Sequence, residues 1–232
     1  MDFSPEGSKA IPLWLNGHAF LTVSDAFHDV INPATGEAVH RVPLCGAFEA
    51  LEAVAAARAA QPSWAELGMQ ARHICLVNLA DALAGYADHF ARLLIAETGF
   101  DEARANAEVA IAVEAIRAAA VGETGVIALV IDDTRPLAGL AEAIAPALMA
   151  GATVVVKPSI KAPSAAYALC ELTARAEWPA GVVNLMQGDV AAIEGLCAAA
   201  VDRLVYHGEA ALGAKIGAIA ARHATPFEIL AA

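Results

Sequence analysis

Apolar positions change their rhythm twice along the chain. Between residues 13 and 43, β-forming residues lie in short runs separated by Asn16-Gly17 and by Asn32-Pro33-Ala34-Thr35-Gly36. Both are turn signals, and the pattern predicts a small antiparallel β edge. After Gly46, Leu51, Val54, Ala55 and Arg58 recur at helical spacing. That helix is expected to end near Gln61-Pro62, because proline supplies no backbone N–H. Further helices are expected over about 70–83, over about 86–97 with Thr98-Gly99 as a stop, and over about 102–120. The last aligns Val109, Ala112, Val113 and Ile116 in one stripe and carries Asp101, Glu102 and Glu108 toward its start, where the helix dipole favours carboxylates.

Beyond Gly122, short β-rich runs alternate with Ala-rich helical segments. The candidate strands are 125–131, 153–157, 182–186, 203–207 and 227–230. Each is continuously apolar and followed by a long connection, which is the signature of a parallel sheet covered on both faces. The expected fold class is therefore α/β: a Rossmann-like parallel sheet of about five strands with flanking helices, preceded by a helical segment and the small antiparallel edge. One domain over 1–232 is expected, with a β-rich edge at 1–45, helices at 46–121 and the Rossmann-like core at 122–232.

Composition narrows the possible partners. Hydrophobic residues make up 58% of the chain and charged residues 17%, which excludes general disorder and leaves apolar surface for another chain to cover. No apolar run approaches the roughly 20 residues of a bilayer-spanning helix. The segment Met1 to Ala10 carries Asp2 and Glu6 in place of a basic stretch and apolar core, so no secretory signal is expected and the location is read as cytoplasmic. A net charge of −12 repels a polyphosphate, which argues against nucleic acid as a partner. Cys45, Cys75, Cys170 and Cys197 form no CxxC pair and have no histidine at ligand spacing, so neither a metal site nor a disulfide is expected. They are read as buried, reduced thiols.

Several stretches resemble one family in the right order. They are Ile31-Asn32-Pro33-Ala34-Thr35-Gly36-Glu37 with Val42-Pro43, Ala56-Ala57-Arg58-Ala59-Ala60 with Trp64, Leu79-Ala80-Asp81 and Glu97-Thr98-Gly99. Ile144-Ala145-Pro146-Ala147-Leu148 with Gly151, the segments 154–159 and 179–184, and the turn 208–213 complete the series. Together these resemble the amino-terminal, dinucleotide-binding half of an aldehyde dehydrogenase. The resemblance implies that Lys157 contacts an adenosine ribose, with Ser159 beside it, and that Gly208 and Gly213 bound a phosphate-binding turn. Independently of it, Lys157-Pro158-Ser159 ends a strand at the carboxyl edge of a parallel sheet, where dinucleotides sit. A lysine that merely ends a buried strand in solvent is the competing reading. Glycines between a strand and a helix start let a pyrophosphate approach free amides, although such a turn also wants glycine for geometry alone.

Departures from the family pattern bear on activity. The family's reaction needs a thiolate nucleophile, oxyanion donors and a glutamate base. None of the four cysteines falls in the nucleophile motif, and the catalytic half that would supply it is expected to be missing. Thr134, within Asp132-Asp133-Thr134-Arg135-Pro136, stands where the resemblance implies an asparagine. Glu228 matches the general-base position, but Leu230-Ala231 replaces the glycine pair that ordinarily follows it, so the glutamate is read as vestigial. Ile160 replaces a ribose-binding glutamate, Glu209 replaces a serine in the phosphate turn, and Gly188-Asp189-Val190 departs from Gly-x-Gly. A carboxylate roughly 4 Å from a pyrophosphate is repelled by several kcal/mol at intermediate dielectric. No coenzyme is therefore expected, with NAD or NADP as the ligand if the site is retained.

The family's assembly hairpin is absent, since 120–125 joins the long helix directly to the first parallel strand. The usual tetramer is then not expected. Ala210, Gly213, Ala214, Gly217 and Ala221 put small residues on helix 210–222, which resembles the family's dimerisation helix. Packing within the monomer is the competing reading. Three functions stay open: a non-catalytic module that forms a homodimer through helix 210–222 or attaches to another enzyme chain; the NAD(P)-binding subunit of a split or degenerate aldehyde dehydrogenase; and a fragment of a longer enzyme.

Overall fold

The computed structural model describes residues 9–24 and 26–231. The secretory-signal reading of the first ten residues rests mostly on positions 1–8, which with Ala232 lie outside the described residues.

Asn16-Gly17 does what its composition suggests: it joins β1 (Leu13–Leu15) to β2 (His18–Phe20) as an antiparallel hairpin. Trp14 then pairs with Leu185, so this hairpin extends the main sheet. β3 (Phe27–Ile31) and β4 (Ala38–Pro43) form a separate two-stranded ribbon. In the turn between them, Asn32 Oδ1 accepts hydrogen bonds from the amides of Ala34 and Thr35. The expected β edge is thus real but divided in two.

Four helices follow: α1 (Ala47–Glu66), α2 (Met69–Gly85), α3 (Ala87–Thr98) and α4 (Glu102–Arg117). α1 continues past Gln61-Pro62, contrary to the sequence expectation. Pro62 lies on the exposed side, as does Arg58, the residue whose carbonyl loses its helical donor. Fully buried Trp64 anchors the extra turn: its Nε1 donates to the Leu148 carbonyl at 3.0 Å and its ring stacks on Trp178 at 5.2 Å. This anchorage offsets the ~3 kcal/mol that an interior proline costs. α4 stops at Arg117, three residues short of expectation, as the connector turns to bring the Gly122 amide onto the Pro146 carbonyl at 3.0 Å.

The rest is the expected alternation: β5 (Val126–Ile131), α5 (Ala138–Ala150), β6 (Thr153–Lys157), α6 (Ser164–Arg175), β7 (Val183–Leu185), α7 (Val190–Ala198), β8 (Arg203–Gly208), α8 (Ala210–Arg222) and β9 (Phe227–Ala231). The sheet runs β2-β1-β7-β6-β5-β8-β9, with β5 to β9 mutually parallel. Val126, Ala128, Val130, Val155, Leu204 and Tyr206 face α1, α7 and α8. Ile127, Leu129, Ile131, Val154, Val156 and Val205 face α2 to α6. Burial on both faces is why these strands are apolar at successive positions. The chain winds outward from β5 to β7 and returns to β8 beside β5, so the strand order reverses next to the carboxyl end of β5. A crevice is expected there. Among the described residues no helix is long and apolar enough to cross a membrane.

Candidate functional site

The crevice exists as a groove of about 220 Å³ at the carboxyl ends of β5, β6 and β8. Val130, Lys157, Ser159, Asp189 and Tyr206 line it, with Ile193, Leu212 and Ile216 from α7 and α8. Lys157 and Ser159 meet here, as expected from the end of β6. Contrary to the picture of a strand ending in solvent, Lys157 is only 6% exposed. Desolvation pushes its ammonium down to about 8, against a partial opposing pull from Asp189. Its Nζ has no hydrogen bond or ion pair among the described residues. Ser159 Oγ is committed to Asp133 Oδ1 at 3.1 Å, and Lys161 Nζ approaches Asp133 Oδ2 at 3.4 Å.

Asp132 dominates the phosphate-type turn between β8 and α8. Its Oδ2 accepts from the backbone amide of Glu209 at 2.8 Å and from the Tyr206 hydroxyl at 3.1 Å. Its Oδ1 accepts from the amide of Thr134 at 2.9 Å and from the Thr134 hydroxyl. Gly208 has φ of +153°, and a Cβ on it would lie 2.1 Å from Asp132 Oδ2, so glycine serves close approach to the chain's own carboxylate. Thr134 thereby orients Asp132 instead of presenting a donor outward. Asp189 caps α7 by accepting from the Ala191 amide at 3.1 Å.

The other expected site residues lie elsewhere. Gly213 lies on the buried face of α8, where a Cβ would lie 2.9 Å from Ile229 Cδ1 and 3.0 Å from Tyr206 Cδ1. Glu228 pairs in register with Val205, on the face opposite Lys157, and sits 3.4 Å from Arg203. Together with Glu123, Glu142 and Arg203 it borders a different cavity of about 260 Å³. No cysteine lines the groove. Burial pushes the Cys45 thiol up to about 12, and desolvation raises Cys75, Cys170 and Cys197 as well. All four are free thiols held protonated.

One polar cluster was invisible in the sequence. Glu142 receives Arg135 through both guanidinium branches at 2.7 and 2.8 Å and lies 3.2 Å from His207 Nε2. Glu108 accepts the Ala138 amide at the start of α5, at 2.9 Å. Arg135 Nε also comes within 3.8 Å of Glu108, tying α4 to α5. The partners lie 7 to 65 residues apart, so no local spacing announces the cluster. Among the described residues, no group of three or more His, Cys, Asp or Glu side chains is arranged to hold a metal ion.

A dinucleotide meets a mixed fit. The ribose end keeps Lys157, but Ile160 offers no acceptor and Ser159 is engaged by Asp133. At the phosphate end, Asp132 already holds the Glu209 amide, and its charge opposes a second anion. The residues present do not fit the pyrophosphate.

The aldehyde dehydrogenase family model matches residues 21–124 and 123–230. The NADP(+) succinate-semialdehyde dehydrogenase of Escherichia coli strain K12 is 34% identical over 188 residues, which cover 71% of this chain and 39% of the relative. Lactaldehyde dehydrogenase of the same strain is 29% identical over 239 residues, covering 92% of this chain and 50% of the relative. The crystal structure of lactaldehyde dehydrogenase from Escherichia coli matches with a TM-score of 0.89 at 26% identity, over 96% of this chain and 52% of that one. A mutant of aldehyde dehydrogenase C from Pseudomonas syringae, complexed with NAD+ and octanal, matches with a TM-score of 0.88 at 27% identity, over 98% and 51%. The chain spans about half the length of these relatives, or less.

Proposed function

Because the chain belongs to the aldehyde dehydrogenase family, we propose that it serves as a non-catalytic module of that fold. It acts in the cytoplasm by contact, with a second copy of itself through helix 210–222 or with another enzyme chain, and does not oxidise aldehydes by itself. The observation that carries this reading is the Asp132 carboxylate seated on the Glu209 amide. It fills the turn that a coenzyme phosphate would need with a charge of the same sign.

A second reading draws on one specific observation, the unpartnered ammonium of Lys157 in the groove. In that reading the chain is the NAD(P)-binding subunit of a split or degenerate aldehyde dehydrogenase, with Lys157, Ser159, Gly208 and Gly213 around the coenzyme. Calorimetric titration with NAD and with NADP separates the two. The non-catalytic reading expects no saturable heat up to millimolar coenzyme; a dissociation constant in the micromolar range would replace it with the second.

A further inference from the structure

Lys157 is only 6% exposed, and the resulting desolvation disfavours its charged form, a penalty that an apolar residue at the end of β6 would not carry. Lys157 nonetheless lines the groove with its amine uncommitted. Its polar neighbours are already engaged. Asp132 serves the turn after β8, Asp133 holds Ser159 and Lys161, and Asp189 caps α7. Tyr206, on β8, donates to Asp132, and burial raises its phenol so that it stays neutral. The opposite wall is apolar, built from Ile193 on α7 and from Leu212 and Ile216 on α8. A largely desolvated amine beside an apolar wall is an arrangement in which lysine becomes a nucleophile.

We propose that Lys157 captures a small, uncharged aliphatic aldehyde in this groove as an imine. The ammonium first releases a proton to solvent, and the free Nζ lone pair adds to the carbonyl carbon. The resulting carbinolamine loses its hydroxyl together with a proton as one water, leaving a C=N bond to Nζ. Nothing is oxidised or reduced, and water reverses the step. The alkyl chain lies against Ile193, Leu212 and Ile216, and the three aspartates disfavour an aldehyde that carries its own carboxylate. Near pH 7 about a tenth of a lysine held near 8 is the free amine, far more than for an exposed lysine. The inference goes beyond the non-catalytic reading, because it needs neither coenzyme nor thiol.

Reductive trapping tests it on the intact chain. Propanal with sodium cyanoborohydride at pH 7, followed by peptide mass mapping, is expected to propylate Lys157 at least about tenfold faster than Lys161 or Lys215. The Lys157 rate is expected to saturate with propanal. Lys157→Met should remove the fast labelling and leave Lys9, Lys161 and Lys215 unchanged. Leu212→Trp, at a position 43% exposed and therefore tolerant of bulk, should narrow the groove and slow Lys157 alone. Labelling of Lys157 no faster than of Lys161, a rate linear in propanal, or full speed in Leu212→Trp would each overturn the proposal.

Discussion

A carboxyl group moved from water to the seam between α3 and α6 must find donors or keep its proton, and Glu97 does some of both. Its oxygens accept from the Ser164 amide at 3.0 Å and from the Ser164 hydroxyl, which closes the start of α6. Desolvation outweighs those two bonds and pushes the group up from 4.5 to about 7. The folded-state value lies above the unfolded one, so the native chain binds the proton more tightly. The stability this contributes is complete below about pH 4.5 and is lost as pH rises through about 7. Urea midpoints measured from pH 4 to 8 should fall for the wild type, relative to Glu97→Gln, by the equivalent of ~1–3 kcal/mol across that window. Parallel profiles for the two proteins would show that Glu97 does not titrate there. In the sequence Glu97 reads only as the end of a helix before Thr98-Gly99. Its burial comes from α6, whose Ser164 lies 67 residues away, and local spacing carries no trace of that contact.

Elements were more legible than their ends. β6 occupies 153–157 as expected, because a continuous Thr-Val-Val-Val run bounded by Gly151 and Pro158 leaves little choice. α1 misled at Pro62 because the decisive contacts come from elsewhere. Arg72, 7% exposed, donates from Nε to the Met149 carbonyl at 3.0 Å and from one guanidinium branch to Trp64 and Ala65 at 3.3 and 2.7 Å. One side chain thereby closes the carboxyl ends of α1 and α5 together. Arg72→Met keeps most of the aliphatic packing and removes the donors, and should cost ~2–4 kcal/mol in urea unfolding. Arg72→Lys should recover only part of that, since an ammonium lacks the planar fork that reaches two helix ends. A loss within error of zero for Arg72→Met would mean that Trp64 alone holds the last turn of α1.

At the scale of the whole molecule, the sequence located the groove but not its contents. Lys157 and Ser159 meet there because both follow from the end of one strand, whereas the Asp132 contact with Glu209 joins two loops 77 residues apart. Glu228 lies on the face opposite Lys157 because alternation along β9 decides where its side chain points. On α8 it is helical spacing that bears on the dimer. Gly213 and Gly217 face inward, where a Cβ on Gly217 would lie 2.8 Å from the Phe227 ring, so these two glycines serve the chain's own sheet. What α8 offers outward is Ala210, Ala214 and Ala221 beside Leu212, with Ile229 of the edge strand β9 41% exposed nearby. Two copies meeting on this surface each carry a net charge of −12, so long-range repulsion opposes an apolar contact. Salt screens the first and leaves the second, with a Debye length of about 10 Å at 0.1 M and about 3 Å at 1 M. Light scattering should therefore show the mass rising toward that of a dimer as sodium chloride is increased. Ala214→Glu, an exposed change on α8 that should leave the fold intact, is expected to hold the chain monomeric throughout. A mass independent of salt and unchanged in Ala214→Glu would exclude this helix as the contact and leave another enzyme chain as the partner.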